Sequence, residues 1–349
     1  MAFVNRPGIA DAAYEVTTDQ IADDIKRVHP GHPQMGSIMR IAKTVGVTRR
    51  RFARPLEEVS RTEGFQERNE RTFADVCTLG EQAARQALDR AGISPSDVGT
   101  LITFHATGLA IPGLDVHLVN ALGMPSTVQR IPMTQLACAG GAQALGLAAM
   151  LVRPGHHVLV VGAEALSTVY QHTDTTLPAM IYKMLFGDGG AAAVVSAEPL
   201  LQPGLFIEDT WTYLHSDAEG DTVRYYKLRA DSTGYHFDST RDAIKAVSKV
   251  LPLLPWGQEN HWEPDFAVIH PGSPKILDLV VETGACSEQA LRHSRTSLEE
   301  NGNTGGPAVL RILDRTHDDP PPTDARGLLF GVGPGFSAAA ARTHWAAPA

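Results

Sequence analysis

The sequence predicts an α/β fold built from two related halves. Short apolar runs end in turn signals, helix-like stretches lie between them, and the runs pair off as echoes of one another. In chain order the runs are "LITFHATG" from Leu101, "HHVLVVGAE" from His156, "AAAVVSAEP" from Ala191, "DFAVIHPG" from Asp265 and "GLLFGVGPG" from Gly327. Each is aliphatic and stops at Gly, Pro or a polar residue, as buried strands do. Helices are expected over Gly80–Ala91 and Asp242–Leu251. The run at Leu101 is echoed at Val158, and the run at Phe266 is echoed at Leu328. The proline-bearing link "SAEPLLQPGLF" then divides the chain into expected halves, 1–201 and 202–349.

With 349 residues, 43% of them hydrophobic, the chain can bury a large core. Its net charge of −9 argues against a general nucleic-acid binder, whose footprint is basic. Cys77, Cys138 and Cys286 are widely spaced and form no CxxC, so they read as neither a disulfide framework nor a zinc site. That usage fits a reducing compartment. The N-terminal "MAFVNRPGIADAAYEV" has no apolar signal segment, and no run approaches the roughly 18 apolar residues of a membrane span. The expectation is a soluble cytoplasmic protein without nucleic-acid or membrane partners.

Chemistry is concentrated at a few positions. Cys138 opens "CAGGAQALGLAAM", a small-residue helical stretch. It reads either as a packed core thiol, the common fate of cysteine, or as a nucleophile at a helix N-terminus. Two histidines end strand-like runs, His105 in "LITFH" and His270 in "FAVIH", where α/β sheets gather catalytic groups. Both remain candidates on this criterion. Asn303 lies in the turn "ENGNTGGP", either for its conformation or to donate to an oxyanion. "GVGPGF" lacks the GxGxxG spacing and "FGDGGAAAV" lacks GK[ST], so neither is a nucleotide motif. Both read as places of close backbone approach. "RIAKTVGVTRRRFAR", Arg40 to Arg54, is basic throughout, either as a solvated face or as a mouth for a phosphorylated ligand.

Together these segments resemble the type III polyketide synthases, the chalcone-synthase-like branch of the thiolase superfamily. "LACAGG" resembles the nucleophile segment, "LFGDGGAAAVV" the gatekeeper segment, "HPGSPKILD" the histidine segment, "NGNTGGPAVLRILD" the asparagine segment and "GVGPGF" the C-terminal glycine loop. The resemblance implies a duplicated αβαβα thiolase fold with a Cys138–His270–Asn303 triad, and so favours His270 over His105. It implies a thiolate–imidazolium pair that takes up a starter acyl group, then decarboxylative condensation with malonyl-CoA and cyclisation to a small aromatic or pyrone product. Coenzyme A thioesters are the substrates, and no metal or other cofactor is implied.

Carried over by position, Phe186 and Phe237 gate the cavity, while Ile111 reaches across the interface of an implied homodimer. Lys43, Arg50 and Arg51 are placed near coenzyme A phosphates. Ala106, Thr168, Tyr182, Leu228 and Gly305 fall at cavity positions. Tyr182 and Leu228 stand where plant members have glycine, which implies bulkier walls. Ala106 lacks the cysteine that a tetrahydroxynaphthalene-forming bacterial subgroup carries there. A ketoacyl-synthase-III-like condensing enzyme or acyltransferase shares the same three residue types and is the nearest alternative. Starter, number of extensions and cyclisation mode stay open.

Overall fold

A computed structural model of the chain describes residues 2–216, 220–258 and 262–347. It opens with strands β1 (Ala2–Val4) and β2 (Gly8–Asp11). A paired β3 (Tyr14–Thr17) and β4 (Arg49–Phe52) then enclose helices α1 (Thr18–Val28) and α2 (Met35–Thr44). After the short α3 (Leu56–Val59) comes the long α4 (Phe65–Ala91). The first half finishes with β5 (Val98–His105), α5 (Leu114–Leu122), β6 (Gln129–Thr134), α6 (Gly140–Leu151), β7 (His157–Ala165), α7 (Leu177–Leu185) and β8 (Asp188–Ser196). The second half contains β9 (Gly204–Leu214), the hairpin β10 (Tyr226–Asp231) and β11 (Gly234–Ser239), and α8 (Arg241–Val250). It continues through β12 (Phe266–Ile269), α9 (Pro274–Glu282), α10 (Arg292–Asn301), α11 (Ala308–Asp318), β13 (Arg326–Gly333) and β14 (Ser337–Ala346).

The echoing runs are the parallel pairs of a repeated sheet. β5 runs parallel to β7, β8 returns antiparallel to β7, and β1 lies antiparallel to β8. Likewise β12 runs parallel to β13, β14 returns antiparallel, and β9 lies antiparallel to β14. The first half carries one more strand, β6, parallel to β5 at the sheet's open edge. β1 and β9 then join the halves edge to edge through Ala2↔Ile207, Phe3↔Phe206 and Val4↔Leu205.

Alternation along the strands sorts the apolar residues into layers. Leu159 and Val161 of β7 join Leu79, Ala83 and Ala87 of α4 in one outer core. Val158 and Val160 face the opposite way, into a central core with Ala144, Leu145 and Ala148 of α6 and Val309, Ile312 and Leu313 of α11. Val268 and Leu329 reach that central core from the second half. Their neighbours Ile269, Leu328 and Phe330 turn outward to Ile276, Val280 and Leu298 of α9 and α10. The result is the duplicated five-layer αβαβα order, with α6 and α11 crossing between the sheets.

That crossing explains the small residues after Cys138. A Cβ at Gly141 would lie 2.3 Å from the Gly306 carbonyl oxygen and 2.4 Å from Val309. No side chain fits there. Among the described residues, no helix is long and apolar enough to cross a membrane.

Candidate active site

The cysteine sits on a strained turn between β6 and α6. Gln135 (φ 72°) and Ala137 (φ 44°) both adopt the left-handed region, which costs a non-glycine residue about 1–2 kcal/mol. Two glycine-rich segments crowd the turn from outside. A Cβ at Gly333 would lie 2.8 Å from both Ala139 N and Leu136 O, and one at Gly306 would lie 2.9 Å from Ala137 O. "GVGPGF" and "NTGGP" are therefore bare because the turn that carries Cys138 passes against them. Cys138 stands at the head of α6, a 12-residue helix whose N–H groups point towards it.

His270 follows β12 directly and is fixed by its backbone, whose amide donates to the Phe330 carbonyl at 2.8 Å. Its imidazole is buried, with neither ring nitrogen in a hydrogen bond of good geometry. The next residues turn into α9, which Ser273 caps by accepting from the Ile276 amide. Asn303 lies just beyond Gly302, which ends α10 at φ 66°. The Asn303 side-chain oxygen accepts from the Gly305 amide at 2.8 Å, and its amide nitrogen donates to the Gly272 carbonyl at 3.3 Å. Its side chain thus supports its own turn and also links it to the histidine loop.

Cys138, His270 and Asn303 line one cavity of about 160 Å3. Phe186 and Phe237 line it too, with Tyr182, Tyr226, Ile181, Ile244 and Ile276. His105 does not share it; its Nδ1 bonds the Thr107 carbonyl at 2.9 Å. Four of the expected cavity positions stand apart from these walls. The Ala106 amide donates to Glu164, and Gly305 faces the same residue, a Cβ there meeting Glu164 Cγ at 3.1 Å. The Thr168 hydroxyl accepts from Thr72 at 2.9 Å, and Leu228 pairs opposite Phe237 across the β10–β11 hairpin. None of the four is among the residues that line this cavity.

Burial sets the protonation of the site. It pushes the Cys138 thiol up to about 12; Glu164 adds to the rise, and a hydrogen bond with Asn303 opposes it. Burial also pulls His270 down to about 4, with the Gly305 backbone acting in the other direction. Desolvation is the largest influence on both groups and favours thiol and neutral imidazole over the expected thiolate–imidazolium pair. Glu164, next to last in β7, belongs to no motif in the sequence. Burial raises its carboxyl to about 7, although it accepts from Ala106 N, Thr107 N and the Thr107 hydroxyl. The signal available was an acid closing an otherwise apolar strand.

The basic stretch separates into different roles. Lys43 borders an open groove of about 450 Å3 with Thr18, Val47, Pro274, Leu277 and Arg295. That groove shares α9 with the cavity, whose walls include Ser273 and Ile276. Arg50 points the other way. It is fully buried, and its guanidinium donates to the Val16 and Met184 carbonyls and, at 2.9 Å, to the Thr18 hydroxyl. The expected contact between Arg50 and a coenzyme A phosphate is therefore corrected, since the side chain has no access to solvent. Arg51 is partly exposed, 3.9 Å from Glu15. Ile111 is 98% exposed and Leu109 69%, on the loop between β5 and α5.

Comparison with known proteins matches the same architecture. Residues 51–199 fit the model of the chalcone and stilbene synthase N-terminal domain, and residues 236–342 fit that of the C-terminal domain. The chain is 33% identical over 349 residues to phloroglucinol synthase of Pseudomonas fluorescens, covering 98% of each chain. It is 31% identical to 1,3,6,8-tetrahydroxynaphthalene synthase of Streptomyces griseus, covering 99% of this chain and 93% of the relative. The crystal structure of 1,3,6,8-tetrahydroxynaphthalene synthase from Streptomyces coelicolor A3(2) superposes with a TM-score of 0.93 at 30% identity, covering 99% of each chain. Germicidin synthase of Streptomyces coelicolor gives 0.90 at 31% identity, again over 99% of each chain. A duplicated αβαβα fold matched along nearly its whole length by such enzymes makes this chain a member of the chalcone and stilbene synthase family, a type III polyketide synthase.

Proposed function

We propose that Cys138 carries the growing acyl chain while His270 and Asn303 serve its loading and extension by malonyl-CoA. The observation that carries this reading is the convergence of these residues on one apolar, aromatic-walled cavity. In loading, neutral His270 takes the Cys138 proton as sulfur attacks the starter thioester, and coenzyme A leaves as its thiol after reprotonation. Malonyl-CoA then loses carbon dioxide. The electron pair left behind becomes an enolate, whose oxygen accepts hydrogen bonds from His270 and the Asn303 amide. The enolate carbon attacks the Cys138 thioester, forming a carbon–carbon bond and releasing the Cys138 sulfur. These steps balance without a metal or redox group. The lengthened chain returns to Cys138 for further extension or cyclises to a small aromatic or pyrone product.

The groove beside Lys43 is the proposed seat of the coenzyme A nucleotide, with Arg51 as a second, more distant cation. Leu109 and Ile111 are the proposed contact of a homodimer, since large apolar side chains left exposed on one loop favour self-association. Incubation with malonyl-CoA, alone and with a panel of acyl-CoA starters, tests the catalytic reading by product mass. Repeated two-carbon extension that disappears in Cys138→Ala supports it. A single condensation, simple acyl transfer or hydrolysis to free acid overturns it.

A further inference from the structure

The cavity has a third aromatic wall whose position differs in kind from the two phenylalanines. Tyr182 lies one helical turn before Phe186 on α7, and their rings stack with centroids 4.9 Å apart. Its edge also meets Phe237 at 4.6 Å, while Phe186 and Phe237 are 5.3 Å apart. The phenylalanines are held by packing alone. The Tyr182 hydroxyl is tied, donating to the Ser239 hydroxyl at 2.5 Å. Ser239 also lines the cavity and closes β11, two residues beyond Phe237. One hydrogen bond therefore spans from α7 to β11 across the wall that holds the acyl site.

α7 is anchored at the next residue as well. Lys183 is buried, donates to the Asp174 carbonyl at 2.7 Å and lies over the Tyr170 ring at 5.7 Å. That bond ties α7 to the segment leading into it. Swinging the Tyr182 ring aside would strand a buried hydroxyl and break both ring contacts, so the ring stays in place. The space that remains, about 160 Å3, is below the roughly 300–1,000 Å3 of ordinary ligand pockets.

We infer that Tyr182, pinned by Ser239, is a fixed stop that limits this enzyme to short aliphatic acyl starters and short chains. The inference rests on the reading of Cys138 as the acyl carrier. Tyr182 is here a specificity-determining residue, and Ser239 a positioning residue acting through it.

The test compares wild type with Tyr182→Ala, Tyr182→Phe and Ser239→Ala. For each, kcat/KM is measured with straight-chain acyl-CoA starters of increasing length, and products are weighed by mass spectrometry. In wild type, long starters should be disfavoured against short ones by about tenfold or more, the scale on which apolar pockets discriminate. Tyr182→Ala should raise the long-to-short ratio by about tenfold and add heavier products. Tyr182→Phe and Ser239→Ala keep the ring and lose only its tether, so they should shift the ratio by a smaller, equal amount, with no added effect when combined. If Tyr182→Ala folds and keeps the wild-type ratio, the stop is disproved. Should Tyr182→Ala fail to fold, unchanged ratios in Tyr182→Phe and Ser239→Ala disprove it equally. A wild type that extends no acyl-CoA overturns the catalytic reading itself, a result distinct from extension without length preference.

Discussion

Asn303 and Phe186 are joined backbone to backbone. The Asn303 amide donates to the Leu185 carbonyl at 2.8 Å, and the Asn303 carbonyl accepts from the Gly187 amide at 3.1 Å. A residue proposed to bind the enolate and a ring of the cavity wall therefore move as one unit. Gly187 is the weak point of that joint, because a Cβ there would lie 2.4 Å from the Asn301 carbonyl oxygen. Gly187→Ala should force the two segments apart, costing about 1–3 kcal/mol of stability. Malonyl-CoA extension should fall at least about tenfold, since small misplacements in an active site are expensive. Thermal unfolding and turnover measured together check this, and an unaltered variant would show that the joint is slack.

The neutral resting pair leads to a second prediction. With the Cys138 thiol pushed up to about 12 and His270 pulled down to about 4, thiolate is scarce across the neutral range. Alkylation of Cys138 by iodoacetamide should then rise by about tenfold per pH unit from pH 6 to 9, without a plateau. Mass spectrometry of the Cys138 peptide separates this from Cys77 and Cys286, which are buried. A rate already at its maximum near pH 6 would restore the thiolate–imidazolium pair.

Buried acids give the fold its own pH dependence. Glu164 and Asp188 are each raised to about 7, chiefly by burial. Their folded values exceed the unfolded ones of 4.5 and 3.8, so the folded state holds protons that the unfolded state has lost. Stability associated with these groups is full below about pH 4 and declines as pH rises towards 7. Asp24 works in the opposite sense: although burial opposes it, its bonds to His172, Tyr170 and Arg27 lower it to about 2. Its contribution is present above pH 4 and fades only as pH falls through 2. Burial of neutral His270 and His317, pulled down to about 4 and about 3, acts against the contribution of Glu164 and Asp188 below pH 6.5. These acids are therefore read above it: the fall in melting temperature from pH 6.5 to 8 should shrink in Glu164→Gln and in Asp188→Asn, and an unchanged fall would count against buried ionisation of these two carboxyls.

How much of this was legible in the sequence depended on the kind of signal. The five apolar runs are β5, β7, β8, β12 and β13, because long buried strands advertise themselves by composition. β14 escaped notice: "SAAAARTHWA" is alanine-rich, and its strand form comes from pairing with β13 and β9. α4 begins at Phe65, well before the expected Gly80, since its first turns are charged and only its later turns carry a clear apolar face. At the site, residue types and order identified Cys138, His270 and Asn303 as candidates, and the fold brings them to one cavity. Glu164 and the Tyr182–Ser239 bond were hidden because each depends on a partner distant in sequence. The basic stretch misled for a related reason. Sequence records that Arg50 is charged, whereas β3–β4 pairing decides that it points inward.

That inward turn separates two arginine-to-alanine or lysine-to-alanine outcomes that sequence alone would treat alike. The buried Arg50 guanidinium satisfies the Val16 and Met184 carbonyls and the Thr18 hydroxyl, and burial pulls its pKa down to about 10. Removing it leaves those acceptors dry and unpaired, so Arg50→Ala should cost about 3 kcal/mol or more. The loss should appear as a lower melting temperature, with any change in KM for acyl-CoA secondary to unfolding. Lys43 stands on the open groove and supports no comparable network among the described residues, so Lys43→Ala should melt near wild type. Its KM for coenzyme A thioesters should rise severalfold, and high salt should blunt the difference by screening the phosphate contact. Steady-state kinetics at two salt concentrations alongside a melting curve distinguish the two roles. A stable Arg50→Ala with a selectively raised KM would return Arg50 to the substrate mouth and contradict its buried position.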